Sequence, residues 1–343
     1  MNLKDLSRQL GLSPTTVSRA LNGYPEVSEA TRKRVVEAAR AHNYSPNARA
    51  KSLATGRSYA IGHVIPLSTR HEMVNPIFGD FIAGAGETYG ASGYDMLLSV
   101  VEDGAEESAY RSMRARHSVD GVVVHGPRVD DPRITMLHQI GLPFVVHGRS
   151  SRLPNDYCWL DVNNTSAFRR ATEFLIDLGH RRIALVNGLE EMDFAHRRRQ
   201  GYEEALRGRG IAIDPALTFS EEMTEYYGFR TADRLLARDD APSAFLVSSL
   251  ISALGVRRAI QARGLEMGRD VSIITHDDAL SYMDNGNGEV PIFTATRSSV
   301  RQAGARLAQM LIDRIEGRAA DTQQVLFEAE LRVGQSTGPA PTP

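Results

Sequence analysis

The sequence predicts an α/β protein in two parts. A small helical head covers residues 1–57; a longer body of parallel sheets in two lobes covers 58–338, with a short tail at 339–343. Three observations lead there. Ten Lys and Arg against four acids give the head a net charge of +6, which leaves −8 on the rest of a chain whose total is −2. Apolar residues in the head recur with the period of a helix and are punctuated by glycine and capping residues. Beyond it, short apolar runs alternate with amphipathic stretches for roughly 280 residues. That rhythm means parallel strands with helices on both faces, and its length exceeds what one core serves.

In the head, Leu3, Leu6 and Leu10 stand at i, i+3 and i+7, the buried stripe of a first helix that Gly11 stops. Ser13 caps a second helix with Pro14 at its first position, where a missing N–H costs nothing. Val17 and Leu21 face the first helix, Thr15, Thr16 and Arg19 point outward, and Asn22-Gly23 breaks the segment. Ser28 caps a third helix with Val35, Val36 and Ala39 inward and Arg32, Lys33 and Arg34 outward. Helix, glycine turn and helix is the arrangement that lays its second helix in the major groove of DNA. Arginine bonds guanine through a bidentate fork, and threonine reaches a thymine methyl or a phosphate. A three-helix bundle without that task has the same pattern, and a cationic face is also a solvated one.

Residues 46–54, inside Tyr44-Ser45-Pro46-Asn47-Ala48-Arg49-Ala50-Lys51-Ser52-Leu53-Ala54, read as a capped helix too short to hold alone in water. Leu53 is one apolar side chain among Arg49, Lys51 and small neighbours, which suits a wedge in a kinked minor groove; a plain linker is the other reading.

In the body, Ala60–Pro66 is a strand followed by a helix over 78–89. Tyr94–Val100 is a second strand, 105–116 a helix, and Val119–Val124 and Phe144–Val146 are further strands. After residue 162 the pattern restarts with a helix at 165–178, strand Ile183–Val186, helices at 198–208 and 228–237, strand Ala244–Val247, a helix at 253–263 and strand Val271–Thr275. Open parallel sheets bind ligands outside the carboxyl ends of their strands. The polar residues there are His125, then His147 and Arg149, then Ser248 and Ser249, and last His276-Asp277-Asp278. Phe78, Trp159 and Tyr282 could add aromatic faces, or belong to the core.

Enzyme signatures are missing. Gly84-Ala85-Gly86-Glu87-Thr88-Tyr89-Gly90 misses the dinucleotide-binding spacing by one and falls inside a helix. The sequence has no phosphate-cradling glycine–lysine loop, no His-Glu-x-x-His and no Gly-x-Ser-x-Gly. Its single Cys158 excludes an internal disulfide, and ten scattered histidines show no metal spacing. The expectation is a non-enzyme without cofactor or metal. The apolar runs are too short for a membrane span and the N-terminus lacks a secretory pattern, so no membrane partner and a cytoplasmic location are expected.

Leu6…Gly11-Leu12-Ser13-Pro14-Thr15-Thr16-Val17-Ser18-Arg19-Ala20-Leu21-Asn22-Gly23, followed by Val27-Ser28…Asn43-Tyr44-Ser45-Pro46-Asn47-Ala48-Arg49-Ala50…Leu53, closely resembles the lactose/galactose-repressor family of bacterial transcription regulators. Gly179-His180-Arg181-Arg182, Arg198-Arg199-Gln200-Gly201-Tyr202, Asp277-Asp278 and Glu330-Leu331-Arg332-Val333 extend the resemblance over nearly the whole chain. His147-Gly148-Arg149-Ser150 and Thr294–Ser299 look like the branch regulating α-glucoside use. The resemblance implies a helix-turn-helix head, a hinge helix at about 46–54 and a two-lobed, dimerising body similar to type I periplasmic sugar-binding proteins. It implies base and backbone contacts from Pro14, Thr15, Thr16, Ser18 and Arg19, with Asn47, Arg49, Lys51 and the wedge Leu53 in the hinge. Arg198 and Asp277 match effector-binding positions; Phe78, His125, His147, Arg149, Trp159 and Ser249 complete the expected effector site. The partners so implied are a pseudo-palindromic operator, a small carbohydrate such as an α-glucoside or disaccharide, and a second copy of the chain. The competing expectation is a sugar-binding receptor without direct DNA regulation, which the cationic head disfavours.

Overall fold

The computed structural model describes residues 1–21, 23–44, 55–66, 75–286, 289–318 and 322–341, in two compact units, Met1–Tyr59 and Ala60–Pro343. In the first unit α1 (Leu3–Leu10), α2 (Pro14–Leu21) and α3 (Glu29–Ala41) enclose a small core of Leu6, Val17, Ala20, Val35 and Ala39. A reciprocal capping box between Asn2 and Asp5 opens α1, and Gly11, in the left-handed conformation, closes it. Ala20 is buried and Leu21 half-buried, so the inner stripe of α2 runs at a spacing of three from Val17. Arg32 and Arg34 do not simply point outward. Arg32 Nη2 donates to Tyr24 O at 3.0 Å and to Val27 O at 3.4 Å, and Arg34 donates to Leu10 O. Carbonyls at a helix end and in the following loop lack helical partners, and a long guanidinium from a neighbouring helix can supply them. The predicted hinge at 46–54, with Asn47, Arg49, Lys51 and Leu53, lies outside the described residues.

The second unit begins with β1 (Ala60–Pro66), α4 (Pro76–Ala91), β2 (Asp95–Val101), α5 (Glu106–Ala115), β3 (Gly121–His125), α6 (Pro132–Ile140), β4 (Phe144–His147) and β5 (Trp159–Val162). It crosses to a second lobe for α7 (Asn164–Asp177), β6 (Ile183–Asn187), α8 (Asp193–Gly208), β7 (Thr218–Ser220), α9 (Glu225–Leu236), β8 (Ala244–Val247), α10 (Leu250–Ala262), β9 (Ser272–Asp277) and β10 (Thr294–Arg297). The chain then returns for α11 (Val300–Ile315) and β11 (Gln324–Phe327) and crosses once more to β12 (Glu330–Arg332). Beyond it Ala340 N–H still donates to Leu178 O, so the segment predicted as a tail at 339–343 is hydrogen-bonded to the body at its start.

Two six-stranded sheets result, ordered β11-β5-β4-β3-β1-β2 and β12-β10-β9-β8-β6-β7, with every pairing parallel except β10–β12. Each has one apolar core per face, and in a parallel sheet covered on both sides the central strands are continuous apolar runs. Helices α4 and α11 cross so closely that a Cβ on Gly84 would sit 2.1 Å from Arg301 O, and one on Gly304 2.2 Å from Phe81 O. Gly84 is therefore a helix-packing glycine, which explains a glycine-rich stretch with no nucleotide-binding spacing.

Candidate functional site

On the head, Val17 and Ala20 bury one side of α2 and leave Pro14, Thr15 and Arg19 exposed, with Thr16 and Ser18 half-buried. Ser13 caps the helix by accepting from Thr16 N–H at 3.0 Å, and its hydroxyl lies 2.8 Å from that of Thr16. Thr16 thus serves the cap as well as the outward face. Arg19 stands in the last turn of a helix whose surface is otherwise uncharged.

In the body, the carboxyl ends of both sheets converge on a cavity of about 320 Å3, within the range of small-molecule sites. Phe78, His125, His147 and Arg198, four of the residues expected from sequence, line it together with Ser248, His276 and Asp278. Along one edge the lobes are tied directly: Asp193 Oδ1 accepts from Ser151 N–H at 2.8 Å, Asp193 N–H donates to Pro127 O at 2.9 Å, and Val129 N–H donates to Glu191 O at 3.2 Å.

The polar floor comes mainly from the second lobe. Arg198 is buried, its guanidinium between the rings of Phe168 and Phe194 at 5.0 and 4.9 Å. Its Nε donates to Asn164 Oδ1 at 2.8 Å and its Nη1 to Ser248 O at 2.6 Å, which fixes the plane of the fork. Burial lowers its pKa to about 10, against the pull of Asp278 and Asp161, so it stays charged at neutral pH. Burial lifts Asp278 from 3.8 to about 7, against Arg198 and reinforced by Asp277. His276 holds Thr296 Oγ1 at 3.0 Å and faces Asp278 at 3.6 Å; burial, then Arg198, keep it well below its usual range and therefore neutral.

The other wall, from the first lobe, is aromatic. Phe81 stacks on His147 at 4.4 Å and meets His125 edge-on at 5.0 Å, and Phe78 meets His125 at 5.3 Å. Burial lowers His147 to about 4 and drives His125 well below its usual value, so both rings are neutral.

Four expected effector contacts lie elsewhere. Asp277 turns away from the cavity: its carboxylate accepts from Ala279 N–H at 2.8 Å, pairs with Arg297 at 3.5 Å and lines a second, smaller cavity of about 220 Å3. Those bonds hold Ala279 at φ 53°, and the left-handed turn aims the neighbouring Asp278 into the cleft. Asp277 shapes the site, and Asp278 faces the ligand space. Ser249 caps α10, its Oγ accepting from Ile251 N–H, which leaves Ser248 at the cavity. Arg149 stands behind Asp161, donating from Nε to its Oδ2 at 2.8 Å, and its guanidinium covers the Trp159 ring at 4.7 Å. Arg149 orients Asp161, a cavity-lining carboxylate whose pKa burial raises despite Arg149. Tyr282 is exposed.

Missed by the sequence reading are Phe81, Asp161 and Asn164; Asp161 sits at the carboxyl end of β5, a strand of four residues. A left-handed alanine is strained by roughly 1–2 kcal/mol. Ala279→Gly should therefore raise the thermal midpoint of the body with ligand binding kept, whereas Ala279→Val should lower both.

Among the described residues no cluster of His, Cys, Asp or Glu could hold a metal ion, and no helix is long and apolar enough to cross a membrane. What the arrangement can do is clamp a neutral polyhydroxylated molecule. Hydroxyls both donate and accept, so a carboxylate and a guanidinium give them charge-assisted bonds while aromatic rings cover their apolar faces.

Comparison with known proteins finds two matching family models, one in each unit. Residues 2–47 match the family of bacterial regulatory proteins, lacI family, and residues 172–337 match a periplasmic binding protein-like domain. The HTH-type transcriptional regulator AglR of Rhizobium meliloti (strain 1021) is 47% identical over 341 residues, covering 99% of this chain and 95% of that protein. Among solved structures, the transcriptional regulator CelR–cellobiose complex aligns over 98% of this chain and 99% of its own, at 29% identity and a TM-score of 0.72. The lac repressor dimer bound to operator and the anti-inducer ONPF covers the same shares at 26% identity and a TM-score of 0.82.

Proposed function

The chain belongs to the lacI family of bacterial regulatory proteins, and on that premise we propose that it is a transcriptional regulator whose operator affinity is set by a small neutral carbohydrate, an α-glucoside or other disaccharide, bound between the lobes of its body. The observation that carries the effector half is the cleft floor, where buried Arg198 and half-buried Asp278 face neutral, aromatic-backed His125 and His147. The exposed face of α2 carries the DNA half through Thr15, Ser18 and Arg19, with Pro14 and Thr16 at the helix start. We assign Asn47, Arg49, Lys51 and Leu53, outside the described residues, to the hinge that couples the two. Lobe closure around a ligand would change the spacing of two hinges in a dimer, and a ligand that does so shifts DNA affinity by about 1–3 kcal/mol per protomer.

A second copy is the natural partner. One small head makes few base contacts, and a pair bound two-fold reads successive major grooves of a pseudo-palindrome. Leu97, Leu98 and Val100 lie exposed on β2, the outer strand of the first sheet, and offer an apolar edge for such pairing. The working compartment is then the cytoplasm, where the DNA is.

Fluorescence anisotropy of labelled operator, with and without maltose, trehalose or sucrose, tests the proposal: a sugar-dependent change in operator affinity is expected, and none with any disaccharide would sink the effector half. Arg19→Ala should weaken the best operator by about 1–3 kcal/mol and relax specificity at one base pair. Equal losses on operator and on random DNA would remove Arg19 from base readout.

A further inference from the structure

On the carbohydrate reading just given, we propose that His63 and Tyr89, which stand behind the cleft wall and do not line the cavity, fix the proton of His125 and make that ring a hydrogen-bond donor to the effector. His63 is a fully buried histidine in the middle of β1, among apolar neighbours, and nothing in the fold requires it there. Tyr89 Oη lies 3.2 Å from its Nε2, and its Nδ1 lies 2.8 Å from Nε2 of His125. The three groups form a relay from the core to the cavity.

Its direction follows from counting protons. All three groups are neutral: burial lowers His63 to about 3, pushes His125 well below its usual value and raises the Tyr89 hydroxyl. Each neutral ring therefore has one N–H and one bare nitrogen. In one direction Tyr89 O–H donates to His63 Nε2, His63 Nδ1–H donates to His125 Nε2, and the His125 proton is left on Nδ1. In the other, His125 Nε2–H donates to His63, His63 Nε2–H donates to the tyrosine oxygen, and the tyrosine proton has nowhere to go. Tyr89 is 1% exposed, and His63 is the one hydrogen-bond partner of its hydroxyl among the described residues. A buried O–H without an acceptor is strongly disfavoured, so the first direction holds.

His125 Nδ1 has no protein partner among the described residues, is not sealed within the core, and belongs to a ring that lines the cavity. It offers the ligand a donor and only a donor. A ring, hydroxyl or glycosidic oxygen is accepted there, and an ammonium or amide N–H is refused. With Asp278 accepting on the opposite side, the relay orients a sugar in the cleft as well as admitting it. Free imidazole favours its proton on Nε2, so Nδ1–H at His125 is a state the surroundings must impose.

Long-range 1H–15N spectra of the full-length, 15N-labelled protein report which ring nitrogen of each histidine is protonated, with His125→Gln identifying the His125 signals. Nδ1–H is expected at both His63 and His125. Tyr89→Phe deletes one oxygen and keeps the ring in the core. It should shift His125 toward Nε2–H and weaken the best-bound of maltose, trehalose and sucrose roughly tenfold by calorimetry. Nε2–H on His125 in the unsubstituted protein overturns the relay, and so does a Tyr89→Phe protein with an unchanged tautomer and unchanged affinity. If Nδ1–H is found and no disaccharide binds, the relay stands and the carbohydrate reading falls.

Discussion

Asp278→Asn is expected to abolish most of the effector response and, at the same time, to stabilise the ligand-free protein above neutral pH. Asp278 is 15% exposed in the cleft, and its carboxyl is raised from 3.8 to about 7, chiefly by burial. A folded-state pKa above the unfolded value means that the folded protein binds the proton more tightly. Stability is therefore lost as pH rises from about 4, and the loss is complete above 7. A carboxyl so displaced destabilises the fold by about 2–4 kcal/mol at pH 8. Asparagine has nearly the same shape and no charge, so the substitution should raise the thermal midpoint at pH 8 by several degrees and change it little at pH 4. The effector pays the opposite sign. Sugar hydroxyls donate best to an ionised carboxylate, and a charge-assisted bond contributes about 1.5–3 kcal/mol. Disaccharide affinity should therefore rise between pH 6 and 8 in the unsubstituted protein, and fall about 10- to 100-fold in Asp278→Asn. Thermal-shift titrations at pH 6 and 8 read both quantities together. A substituted protein that keeps the full sugar response would remove Asp278 from the site.

Much of this was legible beforehand, and the gaps have physical causes. The caps and stops of the head are local chemistry, so Ser13, Pro14, Gly11 and Ser28 could be placed from neighbours alone. The strands β1, β3, β4, β6, β8 and β9 are dense apolar runs that announce themselves. The βα rhythm places no element over Val300–Ile315, although Val300, Ala303, Leu307 and Leu311 carry a helical period. That helix is reached only after the chain has recrossed to the first lobe, where a simple βα rhythm gives no guidance. The helix Pro132–Ile140 and the four-residue strand Trp159–Val162 were missed as short elements in polar surroundings, and Asp161 went with them.

At the site, strand ends identified the right neighbourhood and not always the right neighbour. Of each adjacent pair, Ser248 with Ser249 and Asp277 with Asp278, one residue caps or braces the turn and the other lines the cavity, Ser248 with its hydroxyl bonded to Asn187 Oδ1. Which does which depends on the backbone turn, here the left-handed Ala279, and no periodicity encodes it. His63 escaped notice for a related reason: a histidine in an apolar strand acquires meaning only once β3 and α4 bring His125 and Tyr89 to it.

Arg198→Met should be the most damaging single change in the cleft, and its damage should depend on pH. The guanidinium is held by Asn164 Oδ1 and Ser248 O and offsets the charges of both Asp278 and Asp161. Methionine fills similar space between Phe168 and Phe194 but leaves those acceptors unpaired and Asp278 without its cation, while Asp161 keeps Arg149. Removing one member of a buried charge pair typically destabilises by about 3–5 kcal/mol. Part of that can be evaded, because Asp278 loses the group that lowers its pKa and will take a proton more readily. The evasion works at pH 6 and fails at pH 8, so the destabilisation should be clearly larger at pH 8. Arg198→Met combined with Asp278→Asn removes the stranded charge and should recover a large share of the loss, a coupling of about 1–3 kcal/mol in a double-mutant cycle. Sugar binding should be lost in both. Additive effects of the two substitutions on stability, with no dependence on pH, would show that Arg198 and Asp278 do not act as a pair and would refute the cleft floor as drawn.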